Sequence, residues 1–303
     1  MIIPALADDA LLADIAAVPA TADDPHLWWL GQSGFLLKWR GEYALFDPYL
    51  SDSLTRKYAG TNCEHVRMTA RCIAPERLDF APFALASHLH TDHCDAETLA
   101  PLAVAAHGRG ARLRLLLPRS GLAVARERLG TAPIEYMPMD AGEEVRVGAF
   151  QVQAIAAAHP TVERDAQGHC RFLGFLLRAG PWTIYHSGDT LWHDHLVQSV
   201  IGAAPDIVLV PINGNRPERG VAGNLNGTEA AALAKAVGAS LAIPHHYDMF
   251  AFNTELPDEF AQAASRLGQP CRILRNGERW SFRGLNPRMR TFTLSTPSDN
   301  TSL

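Results

Sequence analysis

No apolar run in this chain of 303 residues approaches the ~20 residues that span a bilayer, so nothing in it calls for a membrane. Positive charge is in deficit, with 27 Lys and Arg against 32 Asp and Glu. A net charge of −5 gives no electrostatic reason to expect nucleic acid. Cysteine is scarce and odd in number: Cys63, Cys72, Cys94, Cys170 and Cys271, with no C-x-x-C. That pattern argues against a disulfide framework and favours a cytoplasmic protein. Cys94, beside His93, reads as a small buried side chain rather than a ligand. Met1 to Val18 lacks the basic start of a signal peptide and carries Asp8, Asp9 and Asp14. It reads as an amphipathic helix capping the domain. The chain shows no repeat, low-complexity tract or interdomain linker, and its length suits one domain over residues 1–303. No G-x-S-x-G elbow or Cys-His pattern offers a nucleophile.

What the chain does have is histidine in a pattern. His88-Leu89-His90-Thr91-Asp92-His93 reads H-x-H-x-D-H and follows the apolar run Phe83-Ala84-Leu85-Ala86. The run predicts a buried strand emptying into a loop. If the chain is still extended at the strand end, His88 and His90 point the same way and grip one ion. Asp92 and His93 then reach a second. Imidazole suits zinc, manganese, iron or cobalt, and the carboxylate adds a hard ligand.

The remaining ligands come from distant strand ends. Ala154 to Ala158 runs into His159, Trp182 to Tyr185 into His186-Ser187-Gly188-Asp189-Thr190, and Leu241 to Pro244 into His245-His246. Open α/β layouts place their sites at such ends. Strand-like runs lie near 27–38, 42–47, 83–87, 112–117, 144–157, 171–178, 182–186, 206–212, 240–244 and 271–282. Helix-like stretches lie near 95–106, 119–129, 190–200, 228–237 and 257–267. A hairpin is expected at Arg40-Gly41.

H-x-H-x-D-H, a solitary His, S-G-D-T and P-x-H, in this order, resemble the metallo-β-lactamase-fold hydrolases. Trp29 to Phe35, Asp47-Pro48-Tyr49-Leu50, Tyr185 to Asp189 and Ile243 to Asp248 resemble more narrowly the ascorbate-6-phosphate lactonase branch. The resemblance spans about residues 26 to 255. It implies an α/β, four-layer αββα sandwich and a pair of divalent ions, zinc or manganese. His88, His90 and His159 would hold the first ion; Asp92, His93 and His246 the second; Asp189 would bridge them. His246 rather than His245 occupies the P-x-H position. Glutamate does not replace His90, which argues against the oxygen-reducing di-iron relatives.

The chemistry that follows is hydrolysis by metal-activated water, with Asp92 passing a proton to the leaving group. Asp47 is expected to orient a ligand, and His186 to stand behind Asp189. Asn213, Asn215, Arg216 and Arg219 form a polar loop suited to a small anionic substrate, such as a phosphorylated or carboxylated ester or lactone. The segment from Ser51 to Pro82 reads as an irregular basic loop with Arg56, Lys57, Arg67 and Arg71. Two alternatives stay open. One is a phosphodiesterase resembling the N-acyl-phosphatidylethanolamine phospholipases, which calls for an apolar groove the sequence does not clearly show. The other is a non-hydrolytic protein, either an iron oxygenase or a metal-binding module. Nothing in the chain speaks against a homo-oligomer.

Overall fold

A computed structural model describes residues 1–287, so the stretch 288–303 of the expected single domain lies outside the described residues. The strands are β1 (His26–Gly31), β2 (Gly34–Trp39), β3 (Glu42–Phe46), β4 (Phe83–Leu85), β5 (Leu113–Pro118) and β6 (Ile134–Met139). There follow β7 (Glu144–Val147), β8 (Phe150–Ala156), β9 (Leu173–Ala179), β10 (Trp182–His186), β11 (Ile207–Pro211), β12 (Leu241–His245) and β13 (Arg279–Ser281). The helices are α1 (Asp8–Ala17), α2 (Ser53–Lys57), α3 (Ala96–Gly108), α4 (Leu122–Leu129), α5 (Leu196–Ile201), α6 (Gly227–Ala236) and α7 (Asp258–Leu267).

The strands form two sheets, ordered β13-β1-β2-β3-β4-β5-β6 and β12-β11-β10-β9-β8-β7. Alternation along the strands builds two cores, because successive side chains leave opposite faces. Phe35, Leu37, Phe46 and Leu85 point between the sheets and meet Phe150, Val152, Phe175 and Leu177. Their neighbours Leu36, Leu45 and Ala84 point outward and pack under Leu11 and Ile15 of α1, Leu99 and Leu102 of α3, and Ala125 of α4. α5, α6 and α7 pack with the other sheet through Leu196, Leu233 and Phe260. The result is the expected αββα sandwich.

Strand direction positions the site. β3, β4, β5 and β6 run parallel, as do β10, β11 and β12. β8 and β10 both pair antiparallel with β9, so they share a direction. The chain therefore leaves β3, β4, β8, β10 and β12 at corresponding ends, where Asp47, His88, His159, Asp189 and His246 follow.

Several elements differ from the sequence expectation. The run 144–157 is a hairpin, β7 and β8, broken at Gly148, whose φ of 58° only glycine adopts readily. β6 carries Pro138 and little alternation, and it is tolerated because it lies at a sheet edge. The helix expected over 190–200 is only α5, since residues 190–195 are committed to the loop after Asp189. Of 271–282 only β13 is strand, apart from a bridge at Cys271. The 51–82 segment is less irregular than expected, with α2 and a single 3-10 turn at Pro75–Leu78. The Arg40-Gly41 hairpin forms, with both residues at positive φ.

Candidate metal centre

β4 ends at Leu85, earlier than the apolar run suggests, and residues 87–94 bend and turn instead of staying extended. The turn is closed by His93 and Cys94 N–H groups donating to the His90 carbonyl, at 3.1 and 2.9 Å. It still brings the His88 and His90 rings together, with centroids 4.5 Å apart. Among the described residues, the ligand atoms of His88, His90 and His159 lie within 4.8 Å of one another, as do those of Asp92, His93 and His246. A third such group is His88, His93 and Asp189. Asp189 sits between the triads: its Oδ2 is 3.8 Å from His159 Nε2, 3.3 Å from His93 Nε2 and 3.4 Å from His246 Nε2. These are the seven residues that the sequence pattern named.

Outer partners fix the rings. His93 Nδ1 donates to Asp47 Oδ2 at 2.7 Å, and His159 Nδ1 donates to the Gly223 carbonyl at 2.9 Å. His88 Nδ1 lies 3.0 Å from Ser87 Oγ. Each leaves Nε2 facing the centre, the arrangement that orients imidazole for a metal. Asp47 also accepts the Ser87 N–H at 2.7 Å and the Ser87 hydroxyl at 2.5 Å, so one carboxylate ties β3 to the histidine loop. His186 donates from Nε2 to the Ser33 carbonyl (2.9 Å) and accepts the Gly188 N–H on Nδ1 (3.1 Å). It supports Asp189 through the backbone. A side chain at Gly188 would meet the Leu173 carbonyl and Ser87 Cβ at 2.6 Å, so the turn before Asp189 requires glycine. Thr190 locks the neighbouring loops, accepting the Ala158 N–H at 3.1 Å.

His245 and His246 diverge. His245 is buried, stacked on His186 at 4.9 Å, with Nδ1 3.1 Å from Ser33 Oγ. His246, at φ 63°, turns the other way and joins the cluster. Gln32 lies in the Trp29–Phe35 motif, but nothing in the sequence assigned it a role. It donates to Asp92 Oδ2 at 2.8 Å and lies 3.0 Å from His246 Nε2. Gln32, Asp47 and His246 all hold positive φ, a strained conformation for residues with a Cβ, and each belongs to or touches the cluster.

Burial and the neighbouring imidazoles hold His88 well below the usual histidine range, and burial lowers His90 to about 4. Both are neutral near pH 7, as ligands must be. Burial opposes charge on His93, yet the carboxylates of Asp189, Asp92 and Asp47 outweigh it and push its pKa well up. Burial likewise works against ionisation of Asp92 and Asp189, but His93 and His246 hold both carboxyls well below their ordinary value. Two carboxylates and a ring of imidazoles thus converge with too few hydrogen bonds. His88 Nε2, His93 Nε2 and Asp189 Oδ1 are buried without a hydrogen-bond partner. Such orphaned atoms are costly unless something binds them. Divalent cations, which accept neutral imidazole and carboxylate, fit this donor set.

The cluster opens into a cleft of about 340 Å³ lined by Lys57, Tyr58, His65, Asp92, Arg128 and Asn253 among others. Asn213, Asn215, Arg216 and Arg219, expected at the substrate, do not line this cleft. Asn213 is buried and donates to Asn253 Oδ1 at 3.0 Å. Arg219, its side chain only 12% exposed, pairs with Glu255 at 2.6 Å and donates to the Asn213 and Thr254 carbonyls. Arg216 pairs with the same Glu255, and Asn215 is exposed. The loop reaches the cleft through Val221 and Ala222, and indirectly through Asn253. In the other basic segment, Arg56 pairs with Glu97 and Arg67 with Asp52, which leaves Lys57 at the cleft. Arg128 has no sequence signal at all. It lies on α4 and donates to the Leu89 and Cys94 carbonyls, bracing the histidine loop.

Sandwich, strand-end cluster and histidine pattern together define a protein of the metallo-β-lactamase fold. The profile of the Beta-lactamase superfamily domain matches residues 44–247, and the chain belongs to that family. It is 28% identical over 259 residues to a UPF0173 metal-dependent hydrolase of Carboxydothermus hydrogenoformans, a match covering 82% of this chain and 96% of the relative. The metallo-beta-lactamase fold protein YhfI of Bacillus subtilis superposes with a TM-score of 0.63 at 17% identity, covering 86% of this chain and 100% of that one. Igni18, a metallo hydrolase of Ignicoccus hospitalis, does so with 0.60 at 19% identity, covering 86% and 98%. Among the described residues no helix is long and apolar enough to cross a membrane.

Proposed function

We propose that the chain is a metal-dependent hydrolase acting on an ester, lactone or phosphoester of a small anion, in the manner of the lactonase branch it resembles. The carrying observation is Asp189 Oδ2, which stands within 3.8 Å of imidazole nitrogens from both triads. His88, His90 and His159 would hold one divalent ion, Asp92, His93 and His246 a second, with Asp189 shared. When bound, such ions would polarise the carbonyl or phosphoryl oxygen that takes on charge and lower the pKa of water from about 15.7 toward about 7.

The chain's own groups supply the rest. Asp92 has Oδ2 held by Gln32, which leaves its other oxygen to take a proton and hand it to the leaving group. Lys57 and Arg128 give the cleft the positive charge that favours an anion, in place of the two arginines first expected there. His65 Nδ1 donates to the Cys63 carbonyl at 2.7 Å, so its Nε2 is an acceptor for a substrate hydroxyl. The test is elemental analysis of the purified protein beside hydrolysis assays on anionic and neutral lactones, esters and phosphodiesters. Two zinc or manganese ions per chain and preference for an anionic ester or lactone support the reading. Iron, with no hydrolysis across the panel, overturns it in favour of oxygen chemistry.

A further inference from the structure

Two clefts adjoin His90 and His159. One is the polar cleft with Lys57 and Arg128. The other is an open cleft of about 440 Å³ lined by Leu89, Gly121, Val124, Pro160 and Phe172 among others. Both clefts share Leu89, His90, His159 and Ala222, so they are continuous over the same imidazoles. The lining of the second is more apolar than polar. The Phe172 ring lies 5.2 Å from His88, 5.4 Å from His159 and 5.9 Å from His90. Val124, on α4, leaves 48% of its surface exposed. Gly121 packs directly against Leu89, where a Cβ would come within 2.1 Å of Leu89 Cδ2. Glu163 and Arg171 add one charge of each sign, so the cleft has no net pull on an ion. Its volume is ample for one aromatic ring, as roughly 150 Å³ accommodates benzene.

We infer that the substrate has two arms meeting at the scissile bond, an anionic arm in the Lys57–Arg128 cleft and a neutral apolar arm, about one aromatic ring in size, in the Val124–Phe172 cleft. The inference rests on the hydrolase reading and adds its substrate class. An apolar surface that begins at the candidate metal-binding imidazoles is suited to part of the ligand bound at that centre. That arm displaces water from the side of the reacting centre that the polar cleft leaves open, and burial of its apolar area supplies affinity.

The experiment uses zinc-saturated protein and two probes, methylphosphonate and benzylphosphonate, with binding read by calorimetry. Each carries the same charged group, and only the second has the ring. The parent is expected to bind benzylphosphonate about tenfold or more tightly than methylphosphonate. Val124→Asn, which makes the wall polar without adding charge, is expected to shrink that gain, read as the ratio of the two affinities in the same variant. Equal affinity of the parent for both probes overturns the two-armed substrate while the hydrolase reading stands. A gain that survives in full in Val124→Asn places the ring elsewhere and also overturns it. If the zinc-loaded protein binds neither phosphonate, the hydrolase reading falls, and this inference with it.

Discussion

Asp47 does as much to shape the centre as any residue in it. Its carboxylate accepts from His93 and from both the backbone and the hydroxyl of Ser87, so one side chain sets the ring of a candidate ligand and the exit of β4. Asp47→Asn is expected to weaken binding of zinc or manganese by about 10–100-fold, read by titration against a chelator. Undiminished affinity would show that His93 is oriented by packing alone. The adjacent histidines give a second expectation. His246→Ala removes a ligand and should lose one metal and nearly all activity. His245→Ala empties a stacked, buried position and should lower stability while both metals stay bound. The opposite metal stoichiometries would reverse the assignment. Spacing made the histidines and Asp189 legible, because ligand residue types clustered at strand ends. Ser87 and Gln32 were not legible. Their roles depend on where a bend and a positive φ turn two ordinary polar side chains.

At the level of elements, the loop from Ile212 to Asn226 is a tethered strut. Its Arg219 spends its guanidinium on Glu255 and on two backbone carbonyls, with little surface left to a ligand. Arg219→Ala is expected to cost about 1.5–3 kcal/mol, read as a lower urea midpoint, because charge-assisted bonds are lost from a mostly buried group. A fall in substrate affinity at an unchanged midpoint would restore the loop to the binding site. The loop before α5 offers a pH test. His193, half-buried, has its pKa lowered from 6.5 chiefly by burial, and it donates to the Ala156 carbonyl at 3.2 Å. The unfolded chain protonates this group first as pH falls. Its contribution is thus present above about pH 6.5 and is lost as pH drops toward the depressed folded value. Acidification from pH 7.5 to 5.5 should therefore destabilise the parent more than His193→Gln, which keeps a donor and does not titrate. Equal losses would mean that His193 is not a source of the pH dependence.

For the molecule as a whole, the candidate centre is a clasp between the two sheets. Its residues follow β3 and β4 of one sheet and β8, β10 and β12 of the other, and no covalent bond links them, since all five cysteines are free. A ligand bound only by the folded state stabilises it by mass action, about 2.7 kcal/mol at a hundredfold excess over its dissociation constant. Chelation should accordingly lower the melting temperature, and zinc or manganese should restore it. A melting temperature indifferent to chelator would mean that the centre binds metal weakly or not at all.

In the sequence, local order pointed to strand ends carrying His and Asp, because apolar runs end in ligand residue types; the family resemblance supplied the sandwich and the grouping of seven candidate ligands. Short edge strands and the β7–β8 break escaped it, because edge position and hairpin register come from neighbours distant in the chain. The substrate side escaped it too. Arg216, Arg219 and Asn213 looked like anion binders by type, yet Glu255 and Asn253, some 35 to 40 residues away, engage them. Lys57 and Arg128, from separate helices, face the cleft instead, beside an apolar cleft assembled from five segments. Residue type decides what a side chain can bind. Whether it is free to bind depends on long-range packing, which only the folded chain reveals.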